Sequence, residues 1–141
     1  MSSRYPIKKI VTALAIVFAI IFSVALYGQS FWGGKTMSAK QIKTKWGAEK
    51  LDADKFRTGN YEIKSKMAYA ILTDKTLVGK SYDEIRKLFG ENDGFYFVDT
   101  FPTYIIQRGK DHSEDTWQIV FRMDRNFKVR DVIMHKNCCE R

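Results

Sequence analysis

The feature that most constrains this chain is an uncharged apolar stretch near its N-terminus. It runs from Ile10 to Tyr27, eighteen residues without a charged side chain. A helix of that length is about 27 Å long, close to the hydrocarbon thickness of a bilayer. Basic residues precede the stretch and aromatic residues follow it, as at the ends of many membrane spans. The sequence therefore predicts a basic head and a single transmembrane helix within residues 1–34, followed by one domain.

A removable signal peptide is the alternative interpretation of the same stretch. The basic start, the apolar core and the small residues Ser23 and Ala25 together resemble a cleavable leader. However, the apolar run continues through Leu26 and Tyr27, beyond the point where cleavage would fall. The length of the run favours an uncleaved span. No cysteine follows the run directly, which excludes a cleaved and lipid-modified lipoprotein.

Small residues recur along the predicted span. Ala15, Ala19 and Ser23 are four residues apart and so lie on one helix face, where they would let another helix approach closely. This predicts a helix-packing face. It also supports the hypothesis of an accessory subunit held in a larger inner-membrane complex mainly through its transmembrane helix.

Residues 35–59 are predicted to form a basic juxtamembrane linker. Ser38 is placed to cap a short helix on which Ile42 and Trp46 share one face, with lysines around it. Such a helix either lies on anionic headgroups or is an ordinary solvated segment. The residues predicted at the membrane interface are Tyr27, Phe31, Trp32, Lys40, Lys43 and Trp46.

Residues 60–141 are predicted to form an α+β domain. A helical stripe covers Asn60–Lys75, and a second helix begins at Ser81, where Ser81 and Glu84 have capping-box spacing. Gly90 is suited to end this helix. Alternating segments then predict strands at Thr103–Arg108, Thr116–Asp124 and Phe127–His135, with a further short candidate at Phe95–Asp99. The expected architecture is two helices followed by a three- or four-stranded antiparallel sheet.

One stretch resembles a known family. Leu77 to Gly90 reads Leu-x-Gly-Lys-Ser-x-x-Glu-Ile-x-x-Leu-Phe-Gly, and it is followed by Tyr104, Gly109 and a hydrophobic hairpin. Over residues 61–136 the chain resembles the SmpA/BamE-like domains of outer-membrane assembly lipoproteins, which have the β-lactamase-inhibitor-like fold. The resemblance implies a non-catalytic, extracytoplasmic domain that binds other envelope proteins.

Charge and cysteine content bound the possible partners. The chain has 24 basic and 16 acidic residues, a net charge of +8. This charge suits anionic lipid or an acidic partner but is too small to indicate nucleic-acid binding. The only cysteines, Cys138 and Cys139, are adjacent, and disulfide geometry disfavours a bridge between neighbours. They are either free thiols or form an intermolecular bridge.

The sequence predicts no catalytic, metal, cofactor or small-molecule site. His112 lies in an acidic loop, but no second cluster of ligands is spaced to complete a metal site. An enzyme using Cys138, Cys139 and His135 is a third hypothesis, in which no third group orients the pair. Gly79-Lys80-Ser81 lacks the glycine that a phosphate-binding loop requires.

The leading hypothesis is a membrane-anchored interaction module of the bacterial cell envelope. The residues predicted to contact a partner protein are Phe101, Tyr104, Trp117 and Phe121, although a domain this small also needs such aromatics in its core. Basic residues are nearly balanced on the two sides of the predicted span. The resemblance implies an N-terminus inside and a domain in the periplasm, attached to the inner membrane.

Overall fold

Alternating apolar and polar residues in the C-terminal part of the chain set up an antiparallel sheet, and the fold is built on it. The computed structural model describes residues 11–21, 23, 34–109 and 116–136. The chain divides into two units, Met1–Gly33 and Gly34–Arg141. In the first unit, residues 11–21 and 23 form helix α1, and their side chains are exposed.

The predicted transmembrane helix is not found among the residues that the structure describes. Across residues 11–21, 23, 34–109 and 116–136, no helix combines the length and the apolar character needed to cross a bilayer. The prediction of an N-terminal transmembrane helix is therefore wrong, and so are the single-pass, inner-membrane localisation and the membrane terms that followed from it.

The second unit is α+β, with a four-stranded antiparallel sheet in the order β1-β4-β3-β2. Its elements are β1 (Lys35–Met37), α2 (Ala39–Trp46), α3 (Ala53–Thr58), α4 (Tyr61–Thr73), a 3₁₀ turn (Lys75–Leu77), α5 (Tyr82–Phe89), β2 (Thr103–Gln107), β3 (Trp117–Met123) and β4 (Val129–Lys136). The prediction of only two helices ahead of the sheet is therefore corrected, because α2 and α3 precede the two predicted ones.

The strand register sorts side chains onto two faces of the sheet. Tyr104 lies opposite Ile119, and Ile119 lies opposite Met134, so these three residues share one face. This inner face packs on the helices and forms the main core. The neighbouring residues Gln118 and His135 form a pair on the outer face. The alternation predicted for the last two strands is therefore confirmed by their pairing.

Residues 35–59, predicted as a linker, contribute to the core. Ser38 caps α2 in a capping box with Gln41, and Ile42 of this helix is fully buried. Phe56 of α3 is also fully buried, and its ring meets Phe89 edge-to-face with centroids 5.2 Å apart. Burial of these two side chains requires α2 and α3 to pack on the sheet domain.

The caps of the predicted helices match their sequence signals. Asn60 accepts a hydrogen bond from the Ile63 N–H at the start of α4. Ser81 and Glu84 form the expected capping box, which is therefore confirmed. Gly90 ends α5 with φ of 87°, a left-handed value that favours glycine. Its carbonyl then accepts a hydrogen bond from the buried Tyr104 hydroxyl at 2.9 Å.

Candidate protein-binding surface

The outer face of the sheet is covered by a loop. Val120 and Ile105 are 0% and 7% exposed, yet neither belongs to the main core cluster on the inner face. The segment between α5 and β2 packs on this face, where Phe95 is hydrogen-bonded to Gln118 and Tyr96 meets the His135 ring. We call residues 95–101 of this segment the aromatic strap, since it contains Phe95, Tyr96, Phe97, Val98 and Phe101.

Hydrogen bonds to β2 and β3 hold the start of the aromatic strap. The buried Gln118 side chain donates from Nε2 to the Phe95 carbonyl at 2.6 Å and accepts from the Phe95 N–H at Oε1 at 3.1 Å. Just before the strap, Gly94 N–H donates to the Thr103 carbonyl at 3.0 Å. The Asp93 carboxylate accepts from the Ile105 N–H at 2.8 Å. The last two bonds satisfy the Thr103 carbonyl and the Ile105 N–H on the free edge of β2.

Close packing requires a glycine at this anchor. A Cβ on Gly94 would lie 2.6 Å from the Gln118 Oε1 and 2.7 Å from the Thr103 Cγ2. Such distances are far below van der Waals contact, so no larger residue fits without displacing the strap.

The aromatic strap reverses direction at Phe97. This residue has φ of 47°, an uncommon left-handed conformation for a bulky side chain. The Val98 N–H donates to the Tyr96 carbonyl across the reversal, where the two residues form a bridge. Backbone strain of this kind persists only where surrounding contacts enforce it, and it is concentrated at functional segments.

Rings on the sheet side of the strap pack around a buried histidine. The His135 ring is 1% exposed and meets Tyr96 edge-to-face with centroids 4.7 Å apart. Phe97 approaches the same ring at 5.8 Å, and Phe101 stacks on Tyr96 at 6.0 Å. These contacts fix one side of the aromatic strap against the sheet.

The other side of the aromatic strap faces solvent. Phe95, Phe97 and Val98 are 55%, 52% and 44% exposed. Three large apolar side chains within four residues therefore stay in water on a segment that is anchored by buried hydrogen bonds. Clustered exposed apolar side chains mark interaction surfaces more often than isolated ones do.

A cationic group borders the aromatic strap. Arg122 makes two hydrogen bonds to the Asp131 carboxylate, at 2.6 and 2.8 Å, and Arg130 adds a third at 3.2 Å. Hydrogen bonding to Asp131 raises the pKa of Arg122, and the neighbouring Tyr96 contributes in the same direction. Burial opposes ionisation of Asp131, but the bonds from Arg122 and Arg130 lower its pKa on balance. Two guanidinium groups share one carboxylate, which leaves a net positive charge here.

The structure separates the four residues that the sequence predicted to contact a partner. Tyr104 and Phe121 are 0% and 1% exposed and lie in the core, so they are not available to a partner. Trp117 is half-buried against the core beside Lys45. Phe101 alone lies in the aromatic strap. The predicted strand at Phe95–Asp99 is absent from the structure, since the backbone reverses there instead of extending.

The sequence contains a signal for the aromatic strap, which the strand prediction overlooked. Phe95-Tyr96-Phe97-Val98 is a continuous run of large side chains after Gly94, without the alternation of a strand. Such a run of four consecutive large apolar side chains, followed by Asp99 and Thr100, is typical of neither an amphipathic strand nor a turn, and this could have marked the segment as unusual.

The other predicted site residues lie elsewhere. Ala15, Ala19 and Ser23 are exposed on α1, where the Ser23 hydroxyl donates to the Ala19 carbonyl. Lys40 and Lys43 are exposed on α2, and Trp46 is half-buried against the core. Tyr27, Phe31 and Trp32 lie outside the described residues. The membrane-interface role of these residues stays a prediction from the sequence.

The part of the chain that the structure describes contains no group of three or more His, Cys, Asp or Glu side chains able to hold a metal ion. His112, Cys138 and Cys139 lie outside it. His135 is enclosed by the aromatic strap and the sheet, away from solvent. An open groove of about 530 Å³ lies between residues 48–51 and the C-terminal part of α4, and Leu51 and Tyr69 are among its lining residues.

Comparison of the chain with protein-family models, with curated proteins and with solved structures finds no match. The resemblance to SmpA/BamE-like domains therefore stays a prediction from the sequence.

Proposed function

We propose that this chain is a non-catalytic protein-binding module, and that the aromatic strap is its contact surface. The observation that carries the proposal is the exposure of Phe95, Phe97 and Val98 on a segment held by Gln118. A pre-organised apolar surface loses little conformational entropy when it binds a partner. The free energy gained by burying the surface therefore contributes to affinity with little loss.

The surroundings of the aromatic strap define the partner. Aromatic side chains and arginines are the residue types enriched at the energetic centres of protein interfaces. Among the described residues, Arg122 and Arg130 share the Asp131 carboxylate, so a carboxylate of the partner finds a complementary charge beside the apolar contact. The partner is therefore a protein that presents apolar side chains next to an acidic residue. The resemblance to protein-binding envelope domains supports the same class of function.

A matched pair of aromatic residues makes the proposal testable. Phe127, in the β3–β4 connection, is 60% exposed and has φ of 55°, so it resembles Phe97 in exposure and in backbone conformation. A photo-crosslinking amino acid is placed at Phe97 or at Phe127 in the full chain inside its host cells. We expect a discrete adduct with another protein from position 97 and none from position 127.

The partner identified by the adduct is then purified and its affinity measured. The Phe95→Ser/Phe97→Ser variant should bind at least tenfold more weakly than the native chain, whereas Phe127→Ser should bind within about twofold. Circular dichroism of both variants checks that the fold is kept. Equal affinity of the native chain and the strap variant would overturn the proposal. An adduct of the chain with a second copy of itself would show that the surface mediates self-association and does not bind a different protein.

A further inference from the structure

A second surface is centred on helix α2. Helix α2 contains Lys40, Lys43 and Lys45 among eight residues and has no carboxylate. Lys35 precedes it on β1, and Lys50 follows it. All five lysines are exposed, and we call them together the basic face.

The basic face differs from several other cationic side chains of the domain, which pair with a nearby carboxylate. Lys55, Arg57 and Lys66 each pair with a carboxylate on their own helix or at its cap. In contrast, no carboxylate of residues 34–109 or 116–136 lies within ion-pair distance of any lysine of the basic face. The sheet register also places Lys35 directly opposite Lys136, an arrangement of like charges that is unfavourable by itself.

Aromatic rings position two of these ammonium groups. The Lys45 Nζ lies 4.9 Å from the Trp46 ring centroid and 5.7 Å from that of Trp117. The Lys43 Nζ lies 5.5 Å from the Tyr69 ring centroid. Cation–π contacts restrict the side chains while leaving the charged ends in solvent. A bound anion therefore meets ammonium groups that have already lost part of their conformational freedom.

We propose that the basic face binds an acidic segment of a partner protein. Positive charge of this density, unopposed on its own helix, is complementary to a run of Asp and Glu. The basic face contains lysines and no arginine. An ammonium group is a point charge without the fixed two-pronged geometry of a guanidinium, so it can pair with carboxylates at varied positions. The proposal concerns a different surface from the aromatic strap and does not depend on it.

The same residues disfavour nucleic acid as the occupant. Trp46 and Trp117 are half-buried against the core and approached by Lys45, so their faces do not form an open platform for stacked bases. The Gln41 side chain, which could otherwise contact a base edge, accepts from the Ser38 N–H in the capping box. An acidic polypeptide needs neither feature.

The test uses the full chain and a fluorescein-labelled polyglutamate peptide, with binding followed by fluorescence anisotropy at low salt. The variant Lys40→Gln/Lys43→Gln removes two charges from the basic face. The control Lys75→Gln/Lys87→Gln removes two exposed lysines elsewhere, so both variants have the same net charge. We expect affinity to fall about fivefold or more in the first variant and to change less than twofold in the control. The salt dependence of binding should also weaken only in the first variant.

Three outcomes would overturn the proposal. Equal losses in the two variants would show that polyglutamate responds to net charge alone. Absence of binding by the native chain would remove the basic face as a site for acidic polypeptide. Tighter binding of a single-stranded oligonucleotide, lost in Lys40→Gln/Lys43→Gln, would assign the surface to nucleic acid. The Phe95→Ser/Phe97→Ser variant should bind polyglutamate normally, which separates this result from the proposed function of the aromatic strap.

Discussion

The side-chain amide of Gln118 pairs with the main chain of Phe95 through two hydrogen bonds, 2.6 and 3.1 Å long. One residue on β3 thereby fixes the start of a loop that lies 23 positions earlier in the chain. Gln118 is 3% exposed, so its amide needs these bonds to offset the cost of its burial. The exposed rings of the aromatic strap therefore depend on a buried polar residue for their position.

Replacing Gln118 with Leu should lower the free energy of unfolding by about 1–2 kcal/mol, because it removes both bonds to Phe95 while keeping side-chain volume. Hydrogen exchange of the Phe95 amide should become faster, while exchange in α4 should change only through the global loss of stability. Urea denaturation and exchange measured by NMR report the two effects.

Gln107→Leu is the matched control. Its Oε1 is buried without a hydrogen-bond partner among the described residues. Removing such an amide is expected to be neutral or slightly stabilising. If both glutamine variants lost the same stability, the two bonds to Phe95 would not be what holds the aromatic strap.

Gly34→Ala should destabilise the chain more than Gly79→Ala. Both glycines have left-handed φ values, +68° and +85°, so both substitutions introduce backbone strain of about 1 kcal/mol. Only at Gly34 does the added Cβ also collide with its surroundings, 2.5 Å from the Lys136 carbonyl and 2.7 Å from the His135 Nε2.

Thermal denaturation of the two glycine variants separates the two effects. Gly79→Ala reports backbone strain alone, since nothing lies within 4 Å of the added Cβ, whereas Gly34→Ala reports strain and collision together. The excess loss at Gly34 should appear with faster exchange of the β1 amides, because the collision is with β4. Equal melting temperatures for the two variants would contradict the close approach of β1 to β4.

Sequence predicted those parts of the fold whose causes are local. The capping box of Ser81 and Glu84 spans four residues, and the last two strands alternate over a short range, so both are readable directly. The three-residue strand β1 is different, because it pairs with β4 near the other end of the chain. Phe56 is likewise identified as core only by the rings that surround it.

The candidate site was less predictable than the fold. An aromatic residue in a small domain is equally compatible with a core and a surface position until its neighbours are known. Tyr104 and Phe121 face the helices because of strand register, whereas Phe95 and Phe97 face solvent because Gln118 and His135 hold the loop between them. The length and the flanks of the apolar run predicted a membrane span, and the helix described there does not meet the requirement for one.

Tyr104→Phe should cost about 1 kcal/mol, since it removes the hydrogen bond to the Gly90 carbonyl at the end of α5 but keeps the ring packing. Burial raises the pKa of the Tyr104 phenol. Because the folded pKa exceeds the unfolded one, its contribution to stability is complete below about pH 10 and is lost at higher pH. The native chain should therefore lose stability above about pH 10 more steeply than Tyr104→Phe.

Urea denaturation at pH 7 and at alkaline pH measures both effects. Tyr69→Phe serves as the control, because Tyr69 is half-buried and its hydroxyl has no hydrogen bond among the described residues. We expect a change below about 0.5 kcal/mol for this variant. An equal loss in both variants would show that the Gly90 bond does not contribute to stability.

Asp131→Asn should remove a pH-dependent part of the stability. Burial opposes ionisation of Asp131, but the bonds from Arg122 and Arg130 lower its folded pKa below the unfolded value. A lowered pKa gives stability that is present above about pH 4 and is lost as the pH falls through the folded pKa. The pair is partly exposed, with side chains 32% and 38% accessible, so the effect should stay below about 1 kcal/mol.

The difference in unfolding free energy between the native chain and Asp131→Asn should therefore be largest near neutral pH and shrink below about pH 4. Urea denaturation in steps from pH 7 to pH 3 measures this difference. A constant difference for Asp131→Asn would mean that the carboxylate keeps its unfolded pKa in the fold, and that Arg122 and Arg130 are not held by it. In that case the cationic border of the aromatic strap would lose its fixed geometry, while the apolar contact surface would remain.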